Sequence, residues 1–465
     1  MARTFHLHAG FASLDQELKP PLSSDEAHAE ANRCLFCYDA PCTRACPTHI
    51  DVPMFIGQIS TGNTTGAART IFASNVLGNS CARVCPTEVL CEGACVLTDQ
   101  HRPIAIGSLQ RFATDHALEK GLPIVHAATP AHGGRVPPVG IIGAGPSGLA
   151  CAAELLRLGY ASVLYEQADS PGGLNTYGVA QYKMTPRVSL AEVEALVRAG
   201  LDIRCGVRVG RDVSLADLEA RHPALFIGIG MGAIPGIGLP GEDHPAVWDA
   251  LEFIACLKSA ADSAETSPAR RSATNLRDQL RGASVAVIGG GNTSIDVVTQ
   301  AVRAGAKKVW LLYRKGPSEM PAYAHEVHLA LEHGSELVYY AVPERIVADS
   351  NTGLRGISIQ VVHADGAKVT VRPGSDATGS ALLECSLVVR ATGQRGAELA
   401  RSLPVQSDRG VIKIDAQGRT SNPRYDAGGD CVSGGQEVVN AVEAGKQAAR
   451  AMVKDILEKL PQARA

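Results

Sequence analysis

The pattern of apolar and polar residues changes near residue 135 and divides the chain into two kinds of segment. Before this point strand-like alternation is scarce, and residues 24–33 and 51–59 are typical of short helices between cysteine-bearing loops. After it come a buried strand, an apolar helix and a second strand, at residues 139–142, 149–158 and 161–166. Because this order opens a βαβ unit, the pattern predicts a doubly wound parallel sheet.

The same order of strand, helix and strand begins again downstream, at residues 284–288, 295–304 and 309–313. A polar stretch over residues 258–281 precedes this second copy and predicts a surface excursion. Residues 354–390 predict antiparallel strands with turns at 364–367 and 373–376, and a closing helix is expected from about residue 438. Two copies of one sheet motif, the first interrupted by the second, account for this order.

Composition narrows the class of protein. A chain of 465 residues with 45% hydrophobic residues can form about three domains with full cores. A net charge of −3 gives no indication of nucleic-acid or membrane binding. The N-terminus lacks an apolar signal core and no apolar run approaches about 18 residues, so we expect a cytoplasmic protein. In a reducing compartment, clustered cysteines more often bind metal than form disulfides.

Eight of the thirteen cysteines fall in two quartets before residue 96. They are Cys34, Cys37, Cys42 and Cys46, followed by Cys81, Cys85, Cys91 and Cys95. Thiolates at this spacing are ligands for iron–sulfur clusters, and eight of them would hold two [4Fe–4S] clusters. Two tetrahedral zinc sites could use the same thiolates, which leaves a zinc-bearing binding scaffold as an alternative.

A glycine-rich turn follows the first predicted strand. Gly143 permits the turn, Gly145 lets the backbone approach a pyrophosphate, and Gly148 lets the helix meet the strand. Glu166, at the end of the next strand, is spaced to accept a hydrogen bond from a ribose hydroxyl. Four further residues provide turns or a carboxylate for a flavin, namely Gly173, Leu174, Gly429 and Asp430. In this order the motifs predict FAD.

A second glycine-rich turn follows residue 288 and predicts a pyridine-nucleotide site. Its residues are Gly289, Gly290, Gly291, Asn292 and Thr293. The next strand ends in Arg314 and Lys315 rather than an acid, and these cations could contact the 2′-phosphate of NADP. They could equally face solvent, so the choice between NAD and NADP stays open.

These motifs predict an α/β protein in which an N-terminal helical domain precedes two Rossmann-like domains. We expect a helical domain at 1–134 with two [4Fe–4S] clusters, an FAD-binding domain at 135–235 and 391–465, and an NAD(P)-binding domain at 236–390. Such a chain would pass electrons between NAD(P)H, FAD and the clusters.

The whole layout resembles the FAD- and iron–sulfur-containing module shared by dihydropyrimidine dehydrogenases and glutamate synthase small subunits. The resemblance rests on residues 39–42, 46–51, 77–87 and 106–112. In the dihydropyrimidine family one cluster has four cysteine ligands, which match Cys34, Cys37, Cys42 and Cys95. The other has three cysteines and a glutamine, which match Cys46, Cys85, Cys91 and Gln110. Cys81 would then be no ligand, in contrast to the count of eight thiolates.

Gln110 favours the pyrimidine branch, because glutamate synthase subunits tend to carry glutamate there. The resemblance implies the electron-input subunit of a two-subunit dihydropyrimidine dehydrogenase, an NAD(P)-dependent oxidoreductase acting on CH–CH groups. No pyrimidine-binding barrel is evident in the sequence, so we expect a partner subunit with FMN and iron–sulfur clusters, in a heterotetramer. No residue of this chain is expected to be an acid–base catalyst. A glutamate synthase small subunit and another NAD(P)H:acceptor oxidoreductase are the alternatives.

Overall fold

The computed structural model describes residues 14–262, 275–349, 353–361 and 380–455. Within them the chain forms two compact units. The first unit comprises residues 19–179, 183–232 and 395–455, and the second comprises residues 14–18, 180–182 and 233–394. The described residues contain no helix that is both long enough and apolar enough to cross a bilayer.

The first unit opens with short helices and continues with a parallel sheet. The helices before the sheet are α1 (Ser24–Ala31), α2 (Pro41–Ala45), α3 (Val52–Ser60), α4 (Thr64–Ser74), α5 (Gly78–Val84) and α6 (Ile106–Glu119). The elements that follow are β1 (Val139–Ile142), α7 (Pro146–Arg157), β2 (Ser162–Tyr165), α8 (Leu174–Tyr177), α9 (Pro186–Ala199), β3 (Asp202–Arg204), α10 (Leu215–Arg221) and β4 (Leu225–Ile227).

The second unit contains a parallel sheet and a small antiparallel sheet. Its elements are β5 (Val247–Asp249), α11 (Ala250–Asp262), β6 (Ser284–Gly289), α12 (Asn292–Arg303), β7 (Lys308–Tyr313), α13 (Ala324–Glu332), β8 (Glu336–Tyr339), β9 (Ala341–Asp349), β10 (Gly353–Val361), β11 (Ser380–Glu384) and β12 (Leu387–Ala391). The chain then returns to the first unit with β13 (Ser407–Asp408), β14 (Val411–Ile412), β15 (Tyr425–Ala427), α14 (Asp430–Ser433) and α15 (Val438–Asp455).

The chain's return completes the first parallel sheet. Its strand order is β15-β4-β1-β2-β3, with Val139 beside Ser162 and Tyr425 beside Leu225. Strand β15 comes from the C-terminal part of the chain, so the first sheet motif is interrupted by the second, as the sequence predicts. The prediction of a helical N-terminal part followed by two Rossmann-like folds is confirmed.

The helices before residue 120 and the first sheet share one hydrophobic core. Two cations tie them together at the C-terminus of α4. Lys446 on α15 donates from Nζ to the carbonyl of Ser74 at 2.7 Å, and Arg157 on α7 donates to the carbonyls of Phe72 and Ala73. A helix leaves its last carbonyls without partners, and cations there also meet the negative end of the helix dipole. The helical part is therefore fastened to the sheet.

The second parallel sheet has the order β5-β12-β6-β7-β8, and β11-β10-β9 form the antiparallel sheet. The prediction of antiparallel strands holds for β10 and β11, but it is wrong for β12, which lies parallel between β5 and β6. The two turns predicted at 364–367 and 373–376 lie outside the described residues.

The predicted surface excursion over 258–281 is wrong at both of its ends. Lys258 is buried on α11, and Leu276 and Leu280 are buried in the core of the second unit. Residues 263–274 lie outside the described residues. Leu276 and Leu280 are buried because packing their side chains in this core removes apolar surface from water.

Candidate cofactor sites

The first glycine turn lies between β1 and the N-terminus of α7. Gly143 has φ +102°, and a Cβ at this position would lie 2.4 Å from the carbonyl oxygen of Gly228. A Cβ on Gly148 would lie 2.0 Å from the carbonyl oxygen of Gly143. Gly145 is the N-cap of α7 and provides no side-chain cap, so the first N–H groups of the helix remain available for a phosphate.

A second turn meets the first at close range. Gly173, with φ +56°, starts α8 immediately before Leu174, and a Cβ on it would lie 2.9 Å from the Cα of Gly145. Glu166 is buried at the base of the first turn, where its carboxylate accepts from the N–H of Ala144 at 2.9 Å and of Ala168 at 2.8 Å. These bonds hold the carboxylate beside the turn, within the part of the site that the sequence assigns to ribose.

The C-terminal segment reaches the same helix. Gly429 has φ +79°, and a Cβ there would lie 2.6 Å from the Ser147 hydroxyl on the first turn of α7. Asp430 follows at the start of α14, and its Oδ1 accepts from the N–H of Gln436 at 3.1 Å. Burial raises the pKa of Asp430. The residues that the sequence predicts for FAD therefore lie near the N-terminus of α7. They come from three parts of the chain, namely residues 143–148, 166–174 and 429–430.

The second glycine turn lies between β6 and α12, in the second unit. A Cβ on Gly289 would lie 2.4 Å from the carbonyl oxygen of Ala391, and one on Gly290 would lie 2.5 Å from the Tyr313 ring. Gly291 is the N-cap of α12 and provides no side-chain cap, and a Cβ on it would meet no atom within 4 Å. The turn thus has the free N–H groups and the narrow backbone that a pyrophosphate needs.

The residues after this turn serve partly as supports. Asn292 accepts from the N–H of Tyr323 at 3.0 Å through its Oδ1, and the half-buried Thr293 follows it on α12. Ser294, in the place of a third glycine, donates to the carbonyl of Gly291 at 2.6 Å. Arg314 and Lys315 are exposed after β7, and Lys315 pairs with Glu319 at 3.0 Å.

Four cysteines line a first cavity among the N-terminal helices. They are Cys34, Cys37, Cys42 and Cys95, the set that the resemblance implies for one cluster. Burial raises the pKa of Cys42 to about 11, and repulsion from the neighbouring Cys34 and Cys95 thiolates adds to the rise. Bound iron supplies the positive charge that such crowded thiolates need.

A second cavity is lined by the other four cysteines of the two quartets and by a glutamine. Cys46, Cys81, Cys85, Cys91 and Gln110 all line it. The sulfur of Cys81 lies close enough to hydrogen-bond with Cys85, which raises the pKa of Cys85, and burial raises it further. The cavity therefore has five candidate ligands for one cluster, and the choice between Cys81 and Gln110 stays a prediction.

The thiols surround cavities instead of closing on a point. Within residues 14–262, 275–349, 353–361 and 380–455, no three His, Cys, Asp or Glu side chains converge on a single ion. Sulfurs placed around a space suit a multi-atom cluster better than one tetrahedral zinc ion. The donor set fits two iron–sulfur clusters.

The second cavity borders the candidate flavin site. Val439, in the first turn of α15, lines this cavity, and α15 packs against α7 of the nucleotide turn. A Cβ on Gly445 of α15 would lie 2.1 Å from the carbonyl oxygen of Ser147, so the two helices cross at very close range. Sequence reasoning missed Val439 and Gly445, because neither belongs to a motif.

A buried carboxylate of α9 also reaches the cysteine-bearing helices. Glu192 is fully buried and accepts hydrogen bonds from the N-terminus of α5. Burial raises the pKa of Glu192 to about 7, although bonds from Ser80 and Asn79 and the nearby Arg83 oppose the rise. No motif marks this residue in the sequence.

Comparison with known proteins supports the assignments made for both the N-terminal helical part and the part with the two parallel sheets. Residues 12–122 match the family model for dihydropyrimidine dehydrogenase domain II with a 4Fe–4S cluster. Residues 137–445 match the pyridine nucleotide-disulphide oxidoreductase model. The thioredoxin reductase of T. acidophilum shares the fold, at 19% identity and a TM-score of 0.52, over 69% of this chain and 99% of that one.

Two groups of relatives are about equally similar. The glutamate synthase [NADPH] small chain of Escherichia coli is 34% identical, over 93% of this chain and 92% of its own. The NAD-dependent dihydropyrimidine dehydrogenase subunit PreT of Escherichia coli is 33% identical, over 94% of this chain and 96% of its own. Identity therefore does not separate the branches. The chain belongs to the pyridine nucleotide-disulphide oxidoreductase family, as an FAD-, NAD(P)- and iron–sulfur-dependent member related to both of these subunits.

Proposed function

We propose that this chain is the electron-input subunit of a dihydropyrimidine dehydrogenase, in the cytoplasm. It would take electrons from NAD(P)H and deliver them to a partner of the PreA type, which carries FMN and reduces uracil or thymine reversibly to the 5,6-dihydro forms. The observation that carries the proposal is the second cavity, which contains Gln110 and borders α15 through Val439.

The cofactors supply the redox chemistry. When bound, FAD accepts a hydride from NAD(P)H and gives up electrons singly, because each cluster accepts one. The chain's own residues bind and orient these groups. The N–H groups at the start of α7 would hold the pyrophosphate, and Glu166 would accept a hydrogen bond from the ribose. The positive end of the α15 dipole would favour negative charge on a flavin bound near the start of this helix.

The ligand assignment that we propose follows the two cavities. Cys34, Cys37, Cys42 and Cys95 would hold the first cluster. Cys46, Cys85, Cys91 and Gln110 would hold the second cluster. Burial raises the pKa of Cys91, and smaller contributions come from the charges of Glu92, of Cys46 in the same cavity and of Cys42 in the first cavity, so the two cavities are close neighbours. The residues of the second cavity would hold their cluster beside α15, and the residues of the first cavity would hold theirs among the N-terminal loops.

The first cavity is the proposed outlet toward the partner. Exposed apolar side chains surround its cysteine loops, namely Leu35, Phe36, Tyr38, Met54 and Val96. Clustered apolar exposure is typical of surfaces that other proteins cover. A partner that accepts electrons must bring its own redox group near this cluster.

The 34% identical glutamate synthase small chain supports a second candidate function, in which the same electrons serve a glutamine-dependent partner. One assay separates the two. The holoprotein is combined with a dihydropyrimidine-reducing FMN subunit or with a glutamate synthase large subunit, under anaerobic conditions. We expect NADH or NADPH oxidation to depend on uracil with the first partner. Turnover only with the second partner, 2-oxoglutarate and glutamine would contradict the proposal.

A further inference from the structure

The buried Glu192 caps the helix that enters the second cavity. Its Oε1 accepts from the N–H of Asn79 at 2.7 Å and from the N–H of Ser80 at 3.1 Å, and its Oε2 accepts from the Ser80 hydroxyl. The first N–H groups of α5 have no partner within the helix, so a carboxylate from a distant part of the chain satisfies them.

The peptide between Gly78 and Asn79 connects this carboxylate to Gln110. The N–H of that peptide donates to Glu192, and its carbonyl accepts from Nε2 of Gln110 at 2.7 Å. Because only the nitrogen of the glutamine amide can donate, the bond to Gly78 uses Nε2 and leaves Oε1 available as an acceptor or a ligand. Within the described residues, Oε1 of Gln110 accepts no hydrogen bond. The Gln110 side chain lines the second cavity.

Three groups therefore stand in series: a carboxylate, a peptide and an amide. Hydrogen bonds in such a chain polarise one another, and the effect is larger inside a protein than in water. The negative charge of Glu192 strengthens the hydrogen bond from the N–H of the 78–79 peptide and polarises that peptide. The Gly78 carbonyl oxygen then becomes a stronger acceptor. The hydrogen bond from Nε2 of Gln110 to that carbonyl is strengthened in turn, which polarises the amide and increases the negative charge on Oε1.

We propose that Glu192 is a positioning residue that orients and polarises the Gln110 amide, through the 78–79 peptide, so that Oε1 becomes a stronger ligand of the second cluster. The inference rests on the proposed function and its ligand set. Partners of a metal ligand commonly fix its orientation and raise its basicity, and Glu192 would do so across one peptide.

The sign of the effect follows from the charge. A more negative Oε1 stabilises the oxidised cluster, so the relay lowers the potential of the second cluster and leaves the first unchanged. A buried carboxylate would also act directly through space, without any relay. The two explanations differ in whether Gln110 must be present.

The test is a redox titration of the holoprotein followed by electron paramagnetic resonance, with iron content measured on each sample. It is run at about pH 8, above the pKa of Glu192. The variants are Glu192→Gln, Gln110→Glu and the double variant. Gln110→Glu keeps an oxygen ligand but cannot donate to the Gly78 carbonyl. Glu154→Gln is the control, because Glu154 is buried in the same unit and pairs with Arg157 and Arg450 instead of with α5.

For Glu192→Gln we expect the ratio of reduced to oxidised second cluster at fixed potential to rise about tenfold, which is about 59 mV for a one-electron couple. The first cluster should not shift in any variant, and Glu154→Gln should leave both clusters unchanged. In the Gln110→Glu background, Glu192→Gln should change the ratio by less than about twofold. An equal shift in both backgrounds, or no shift in the wild-type background, would overturn the relay.

Cys81→Ser checks the ligand set independently. The second cluster should persist in this variant, and its loss would show that Cys81 occupies the place assigned to Gln110, which overturns the relay. Uracil reduction with the partner subunit, measured on the wild type, decides the proposed function separately. A functional complex without the predicted coupling would refute the inference alone.

Discussion

Replacing Gly445 by alanine should separate α15 from α7 and weaken the first unit. The added Cβ would lie 2.1 Å from the Ser147 carbonyl oxygen and 2.9 Å from the Cys151 backbone nitrogen. Both neighbours are backbone atoms of a helix, so no side chain can rotate away. The helices must move apart by roughly 1 Å or more before the atoms reach normal separations.

The expected cost follows from this movement. Overpacking a well-packed contact costs about 1–3 kcal/mol. Alanine within a helix gains about 1 kcal/mol over glycine in helix propensity, which opposes the loss. Gly57, inside α3 of the same unit, is a matched control because its nearest contact would be the Phe36 ring at 3.4 Å. Gly57→Ala shows the propensity gain without the clash.

Thermal unfolding followed by flavin fluorescence measures both variants. The net cost is at most about 2 kcal/mol, so we expect Gly445→Ala to lower the Tm by up to roughly 8 °C and Gly57→Ala to leave it unchanged or slightly higher. Because Val439 lies on the same helix and lines the second cavity, Gly445→Ala should also slow reduction of the clusters by NAD(P)H. A Gly445→Ala variant that melts at or above the Gly57→Ala variant would refute the close crossing of the helices.

Four further changes test other parts of the structure. Gly148→Ala should yield protein without bound FAD, seen as loss of flavin absorbance, because its Cβ would meet a carbonyl at 2.0 Å. Gly290→Ala should keep FAD but raise the KM for NAD(P)H at least tenfold, and an unchanged KM would argue against this turn. Arg314→Ala should raise the KM for NADPH about tenfold more than that for NADH; equal effects would remove Arg314 from 2′-phosphate recognition. Burial raises the pKa of Glu192 from 4.5 to about 7, so the folded state binds the proton more tightly than the unfolded state does. Wild-type stability should therefore fall by a few kcal/mol relative to Glu192→Gln as the pH rises from about 4.5 to about 7, and parallel pH curves in denaturant titrations would contradict this.

The sequence predicts the local elements and the motifs well. Both glycine turns lie between a strand and a helix, because the chain pattern that defines them is short and continuous. The interruption of one sheet motif by the other is also predictable, since the second glycine turn lies between the first turn and the C-terminal segment whose strand β15 joins the first sheet. The placement of β12 was missed because a strand buried on both faces has no alternating pattern to separate it from its neighbours.

Sequence periodicity and short motifs do not predict contacts between distant segments of the chain. Glu192 occupies an ordinary helical position in the sequence, and only the packing of α9 against α5 makes it a cap. Gly445 similarly gains its role from Ser147, almost three hundred positions earlier in the chain. Cysteine spacing could count eight thiolates, but it could not show that Cys81 and Gln110 border one cavity.

The central claim is that the N-terminal thiolates hold two iron–sulfur clusters in electronic contact with a bound flavin. Anaerobically purified protein should contain one FAD and about eight iron atoms, because each [4Fe–4S] cluster contains four. NADH or NADPH should bleach the flavin and produce two distinct paramagnetic cluster signals. A colourless protein with two zinc atoms and no flavin would contradict the account.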